Sequence, residues 1–327
     1  MALAVLAVGL IVTGIAAGYL ATKYLVGHFA PSFSHVPAEY GVRAEAVSFR
    51  SPDGIELRGW WIPANRGRPA RGTVILAHGL NSNRSGMLSH AIFLAAHGYN
   101  AFPIDLRAHG ESSGEFVASG YLDLLGAVAA AKRRGERGPF ILLGHSYGAR
   151  ASLWAAAQSH EIAAVIADSA NRSIYISTKR WAVRARTDAG LSRMRKVEIG
   201  VADFLVDSSW AKAFIASAYR LRTGTRPPAL DLDVTSAVSQ IGNRPILFIA
   251  AEHDPVATPE DARYLYAAAQ SPAKAILILP NAGHFSTYEN DPRLYEAKVL
   301  EFLTAALAPR GERTEGARVK KTAPIAR

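Results

Sequence analysis

The 327-residue sequence has no cysteine. Disulfides, thiolate catalysis and zinc–cysteine sites are therefore excluded, while the absence leaves the redox compartment open. No H-E-x-x-H or comparable cluster occurs, so neither a metal site nor a cofactor is expected. No internal repeat is visible. No charged side chain precedes Lys23. The chain is 49% apolar and 20% charged, which excludes a disordered or collagen-like protein. Its length suits one large domain with an insertion, or two smaller domains, either of which buries a core without staples.

The net charge is +10, and it is unevenly spread. Residues 172–226 hold 12 Lys/Arg against 4 Asp/Glu, and residues 310–327 hold 6 against 2. The remainder is slightly acidic. No zinc-finger or RNP-type motif accompanies these basic stretches, so nucleic acid is not an expected partner.

The uncharged run MALAVLAVGLIVTGIAAGYLAT (1–22) is long enough, at helical rise, to cross a bilayer core. It lacks the basic amino-terminal region of a cleavable signal. A single-pass transmembrane anchor over 1–25 is therefore expected, with the catalytic domain leaning toward the cytoplasmic side on the charge of Lys23. Residues 26–43, with two prolines, read as a linker. The basic tail 310–327 reads as disordered.

Between them the chain alternates. AEAVSFR (44–50) and IELRGWWIP (55–63) flank SPDG as a β-hairpin. TVILAH (73–78), YNAFPID (99–105), PFILLGH (139–145), IAAVIAD (162–168), PILFIAA (245–251) and AILILP (275–280) are short apolar runs, as in strands buried on both faces. Helical patterns follow over 86–97, 119–134, 147–159, 259–270 and 292–307. Pro103 argues for a special position within its strand. Strands alternating with helices predict an α/β fold on a mostly parallel sheet over 44–309. Residues 171–230 break the rhythm and read as a helical cap insertion above the carboxyl ends of the strands, where parallel sheets bind ligands.

Two segments fit G-x-S-x-G. Gly110–Gly114 lies in a polar loop. Gly144-His145-Ser146-Tyr147-Gly148 joins an apolar strand to the helix ARASLWAAA, and a sharp strand-to-helix turn needs small residues around its serine. Ser146 is the candidate nucleophile. A serine hydroxyl needs a base and a carboxylate to orient it. His284, in the loop PNAGHFST after the last strand, is the candidate base among ten histidines. Asp254, in AAEHDPVATP, is the candidate acid, with Asp168 the runner-up. His145 is held by the turn, and His78 and His109 read as loop-organising. An oxyanion hole needs two main-chain N–H groups. Tyr147, just after the serine, supplies one, and Leu80, after His78-Gly79, supplies the second, with Asn81 or Ser82 as alternatives.

The combination LAHGLN, IDLRAHGESSG, LLGHSYG, AAEHDPV and NAGHF resembles the α/β-hydrolase superfamily. Within it the chain is similar to the serine-aminopeptidase-like and prolyl-oligopeptidase-like branch. The resemblance implies the α/β-hydrolase fold: an eight-stranded sheet with the second strand antiparallel, helices on both faces, and a helical cap between strands six and seven. It implies a serine hydrolase that cleaves an ester, thioester or amide through an acyl-enzyme, on a small-molecule acyl ester or peptide substrate. Asp105, Arg107 and His109 match the family's loop after strand four, which braces the site without performing chemistry. A peptidase, an acyltransferase and a non-catalytic binding protein on the same scaffold are the competing readings. The basic cap is further expected to meet anionic lipid.

Overall fold

The computed structural model describes residues 32–65, 69–116, 120–187 and 233–308, together with Gly14, Phe29 and scattered short stretches between 190 and 221. About half of the expected cap, and the whole of the basic tail, lie outside the described residues. The anchor expected over 1–25, and the membrane location drawn from it, are corrected: among the described residues no helix is long and apolar enough to cross a membrane. An uncharged run gives composition only, whereas crossing requires an unbroken apolar helix of about 20 residues. Apart from Gly14, that run too lies outside the described residues.

Eight strands form one sheet: β1 (Glu45–Arg50), β2 (Glu56–Trp61), β3 (Thr73–Ala77), β4 (Asn100–Ile104), β5 (Phe140–His145), β6 (Ile162–Asp168), β7 (Ile246–Ala251) and β8 (Lys274–Leu279). Their order is β1-β2-β4-β3-β5-β6-β7-β8. β2 is antiparallel to both neighbours, and every other pairing is parallel. The expected α/β-hydrolase sheet is therefore present.

The apolar runs follow from coverage on both sides. Side chains alternate along each strand, and each face has its own helices. Ile75, Leu142, Val165 and Phe248 enter one core with α2 (Tyr121–Arg133) and α3 (Tyr147–Gln158). Leu76, Leu143, Ile166 and Leu247 enter the other with α1 (Leu88–Ala96) and a long carboxyl-terminal helix over Pro292–Leu307. Four further α-helices are α4 (Ile174–Thr187), α5 (Thr235–Gln240), α6 (Pro259–Ala268) and α7 (Thr287–Asn290), so that Pro292–Leu307 is α8, and 3-10 turns lie at Pro37–Tyr40 and Arg84–Met87. Burying each such Leu, Ile or Phe contributes about 1.5–3 kcal/mol.

Pro103 sits in an interior strand, not at an edge. The Ala101 and Asp105 amides on either side of it donate to Ile62 O and Arg58 O of the β2 chain. By strand alternation Pro103 falls where one rung of that pairing is missing, while its pairing with β3 through Leu76 continues.

The segment expected as a linker lies against the domain where it is described. Phe33 packs on Trp60, and Phe29 bridges His109 and stacks on its ring.

The loop after β4 is braced by buried charge, in line with the resemblance. Asp105 accepts from the main-chain N–H groups of Arg84 and Glu111 and pairs with the Arg84 guanidinium. Arg107 donates from Nε to Asp123 at 2.8 Å and from its terminal nitrogens to Asp53 at 2.7 and 2.9 Å. Burial raises the Asp123 pKa even though Arg107 opposes the rise. Replacing Arg107 by Met should leave the Asp123 carboxylate buried without its counter-charge and lower stability by about 3–5 kcal/mol. The double variant Arg107→Met/Asp123→Leu should recover most of that loss in urea unfolding. An additive double variant would show that the pair is not the brace.

Candidate active site

The sheet order reverses between β3 and β5, which lie side by side but lead away in opposite directions. Ligands bind outside the carboxyl ends of strands at such a switch point. Ser146 lies directly beyond β5, at φ 52° and ψ −111°, and α3 begins at the next residue. That conformation is unfavourable for a residue with a Cβ. Two glycines make the turn feasible. A Cβ on Gly144 would stand 2.2 Å from Gly148 O, and one on Gly148 would stand 2.2 Å from Ala77 O. No other residue fits between β5, α3 and β3 there.

The turn aims Ser146 Oγ at His284 Nε2, 3.0 Å away. His284 Nδ1 lies 2.6 Å from Asp254 Oδ2. The ionised carboxylate only accepts, so Nδ1 carries the proton and Nε2 is left to accept from Ser146. Asp254 Oδ1 accepts the N–H groups of Val256 and Ala257 at 2.7 and 2.9 Å. Serine, imidazole and carboxylate are all buried. Three loops, after β5, β7 and β8, thus bring together the three residues that the sequence singles out.

Leu80 and Tyr147 both line the pocket in front of Ser146. Tyr147 opens α3, where main-chain N–H groups and the helix dipole favour negative charge. The Gly79–Leu80 peptide is oriented by His78. Its Nε2 accepts from Leu106 N, so its protonated Nδ1 donates to Gly79 O at 2.8 Å. Because the peptide is planar and trans, the Leu80 N–H points away from that carbonyl. Burial pulls the His78 pKa down to about 4, keeping it in this neutral form. Of the alternatives, Ser82 uses its N–H on Gly79 O, while Asn81 adopts the left-handed conformation, φ 59°, required at the third position of that turn.

The other candidates have different partners. Ser112, of the second G-x-S-x-G, donates to Asp105 O and accepts from Arg58 N. Asp168 accepts from Thr287, Tyr295 and Ser169 and faces His145 Nδ1 at 3.8 Å, an ion-pair distance and not a hydrogen bond. Burial opposes charge on both, but each holds the other ionised: the His145 pKa is raised and that of Asp168 lowered. His145 therefore lies beside His284, with ring centroids 5.3 Å apart, but is tied to a different acid.

The pocket has a volume of about 280 Å³. Sequence reasoning did not single out its Phe116, Arg150, Asn171, Ser177, Val256 and Phe285. Arg150 alone carried a signal, being a charged residue inside the otherwise small and apolar helix ARASLWAAA. Among the described residues no group of three or more His, Cys, Asp or Glu could hold a metal ion.

The fold and this turn define a class, and comparison assigns the chain to it. The alpha/beta hydrolase family matches residues 74–297, and the chain belongs to that family. It is 28% identical over 300 residues to the uncharacterized protein YfhR of Escherichia coli (strain K12), covering 88% of this chain and 91% of that one. Among solved structures, the esterase Pf2001 of Pyrococcus furiosus superposes with a TM-score of 0.66 at 23% identity, covering 85% of this chain and 97% of that chain. The alpha/beta hydrolase GrgF of Penicillium sp. sh18 does so at 0.61 and 20%, covering 82% and 100%. At these identities the structures share the fold.

The strained turn gives a stability test. Ser146→Gly should remove the Cβ penalty and raise the unfolding free energy by about 1 kcal/mol in urea titration, whereas Ser146→Ala should not. Equal stability of the two variants would mean that the turn stores no strain.

Proposed function

We propose that the protein is a serine hydrolase that cleaves carboxylic esters through an acyl-enzyme. The observation that carries this reading is the unbroken relay from Ser146 Oγ through His284 to Asp254, at 3.0 and 2.6 Å. His284 Nε2 takes the Ser146 proton as Oγ bonds to the acyl carbon. Asp254 fixes the tautomer and stabilises the imidazolium, and its two main-chain donors keep it from rotating away. The oxyanion is received by the Leu80 and Tyr147 amides. The C–O bond to the alcohol breaks as His284 returns the proton to the departing oxygen. Water, with His284 again as base, then releases the acid and restores Ser146. No step requires a cofactor.

The resemblance to the serine-aminopeptidase-like branch makes amides the competing substrates, whereas the esterase fold neighbours and the apolar rim of Leu80, Val256 and Phe285 support esters. A fluorophosphonate probe should label the protein, and Ser146→Ala should abolish labelling. With p-nitrophenyl esters, Ser146→Ala should cut kcat about a million-fold and Asp254→Asn about ten-thousand-fold. Turnover that survives Ser146→Ala would overturn the mechanism. Faster cleavage of aminoacyl-anilides than of the esters would replace the esterase by a peptidase.

A further inference from the structure

The segment read as a linker meets two of the loops that build the site. The Phe29 N–H donates to Ala108 O at 2.7 Å, and Phe29 O accepts from Gly110 N at 3.1 Å, so its main chain runs beside His109 in the loop after β4. Ser32 O accepts from Asn83 Nδ2 at 2.7 Å, and Ser34 N donates to Ser85 Oγ at 3.2 Å, in the loop after β3 that also carries Leu80. The Phe29 ring stacks on His109 with centroids 4.9 Å apart and meets Phe116 edge-on at 5.8 Å. Phe116 lies 5.2 Å from the Tyr147 ring, is 4% exposed and lines the pocket together with Ser146.

Phe116 is thus gripped by Phe29 and Tyr147 while one part of it borders the cavity. In a close-packed interior a ring shifts only when a neighbour yields space. Removing the Phe29 ring leaves such a space, and the surrounding side chains relax partly into it. Two rings touch it. His109 is tied in place by its Nδ1, which donates to Arg107 O at 2.8 Å. Phe116 has no polar atom to tie it, and it is the one of the two that lines the pocket. Its relaxation toward position 29 therefore widens the pocket.

We propose that Phe29 is a positioning residue for substrate size: through Phe116 it sets how bulky an ester the pocket admits. The segment ahead of the first strand is then a support of the pocket wall, although it lies more than a hundred positions from the serine. The proposal rests on the serine-hydrolase reading for its effect on turnover, but not for its effect on binding.

The test uses two pairs of esters on the full chain. p-Nitrophenyl butyrate against p-nitrophenyl 4-phenylbutyrate varies the acyl group, and phenyl acetate against 1-naphthyl acetate varies the alcohol. In Phe29→Ala the bulky-to-slim ratio of kcat/KM should rise about tenfold in at least one pair, the low end of what one methylene of pocket space is worth. Phe29→Leu, which refills most of the space, should bring the ratio back toward that of the wild type. Phe33→Ala is the control for a merely structural role. It loosens the same segment, but Phe33 packs on Trp60 and Arg84, so its ratios should not move. Ratios that rise in neither pair for Phe29→Ala, or that rise as much for Phe33→Ala, overturn the proposal while leaving the hydrolase intact. If no ester is turned over, the hydrolase reading fails and binding decides. Saturation-transfer NMR titration of the same esters on Ser146→Ala, with and without Phe29→Ala, should then show the bulky-to-slim affinity ratio rising about tenfold in one pair. Unchanged affinity ratios in both pairs would sink the role of Phe29 as well.

Discussion

The molecule turns on the approach of three backbones behind one serine. Ser146 can leave β5 and enter α3 within a single residue only because Gly144 faces Gly148 O and Gly148 faces Ala77 O, with no room for a methyl group at either. The approach fixes how β3, β5 and α3 pack, and that packing sets where the loops after β3 and β5 emerge. Ser146, the Leu80 peptide and the start of α3 are thus placed by one steric constraint, with the backbone strain at Ser146 held by the surrounding sheet.

Polar groups around this turn divide into those that face the pocket and those that hold it from behind. His78 binds the Gly79 carbonyl and the Leu106 amide, so the loop after β3 and the loop after β4 share one imidazole. Asp105 repeats the link through the main chain of Arg84 and Glu111. Asp168 collects Thr287 and Tyr295, which tie helices α7 and α8 to the end of β6. The two histidine–carboxylate pairs stand side by side without exchanging partners: Asp254 faces His284, and Asp168 faces His145. One pair thus faces Ser146 and the pocket, while the other binds its neighbouring elements together.

The strands and the serine turn were legible because their physics is local. A strand covered on both faces reads as a continuous apolar run, and a turn without space reads as G-x-S-x-G between strand and helix. His284 and Asp254 stood out because each follows directly on such a strand. The Asp168 cluster was not legible, since Thr287 and Tyr295 lie 119 and 127 positions away and nothing near Asp168 announces them. Arg150 stood out as a lone charge in an apolar helix, but nothing in its helix or in that of Ser177 gives a sign of the pocket between them. The amino-terminal run misled for the opposite reason: its composition is conspicuous, but composition does not specify an unbroken spanning helix.

Helix α4 also has a second attachment. Arg180 pairs with Asp261, whose side chain closes the capping box at the start of α6 with Thr258. The chain from Asp254 to Asp261 therefore carries the carboxylate behind His284 at one end and the anchorage of α4 at the other. The helix that carries the pocket residue Ser177 and the carboxylate that holds the His284 ring are therefore moored to the same short stretch of chain.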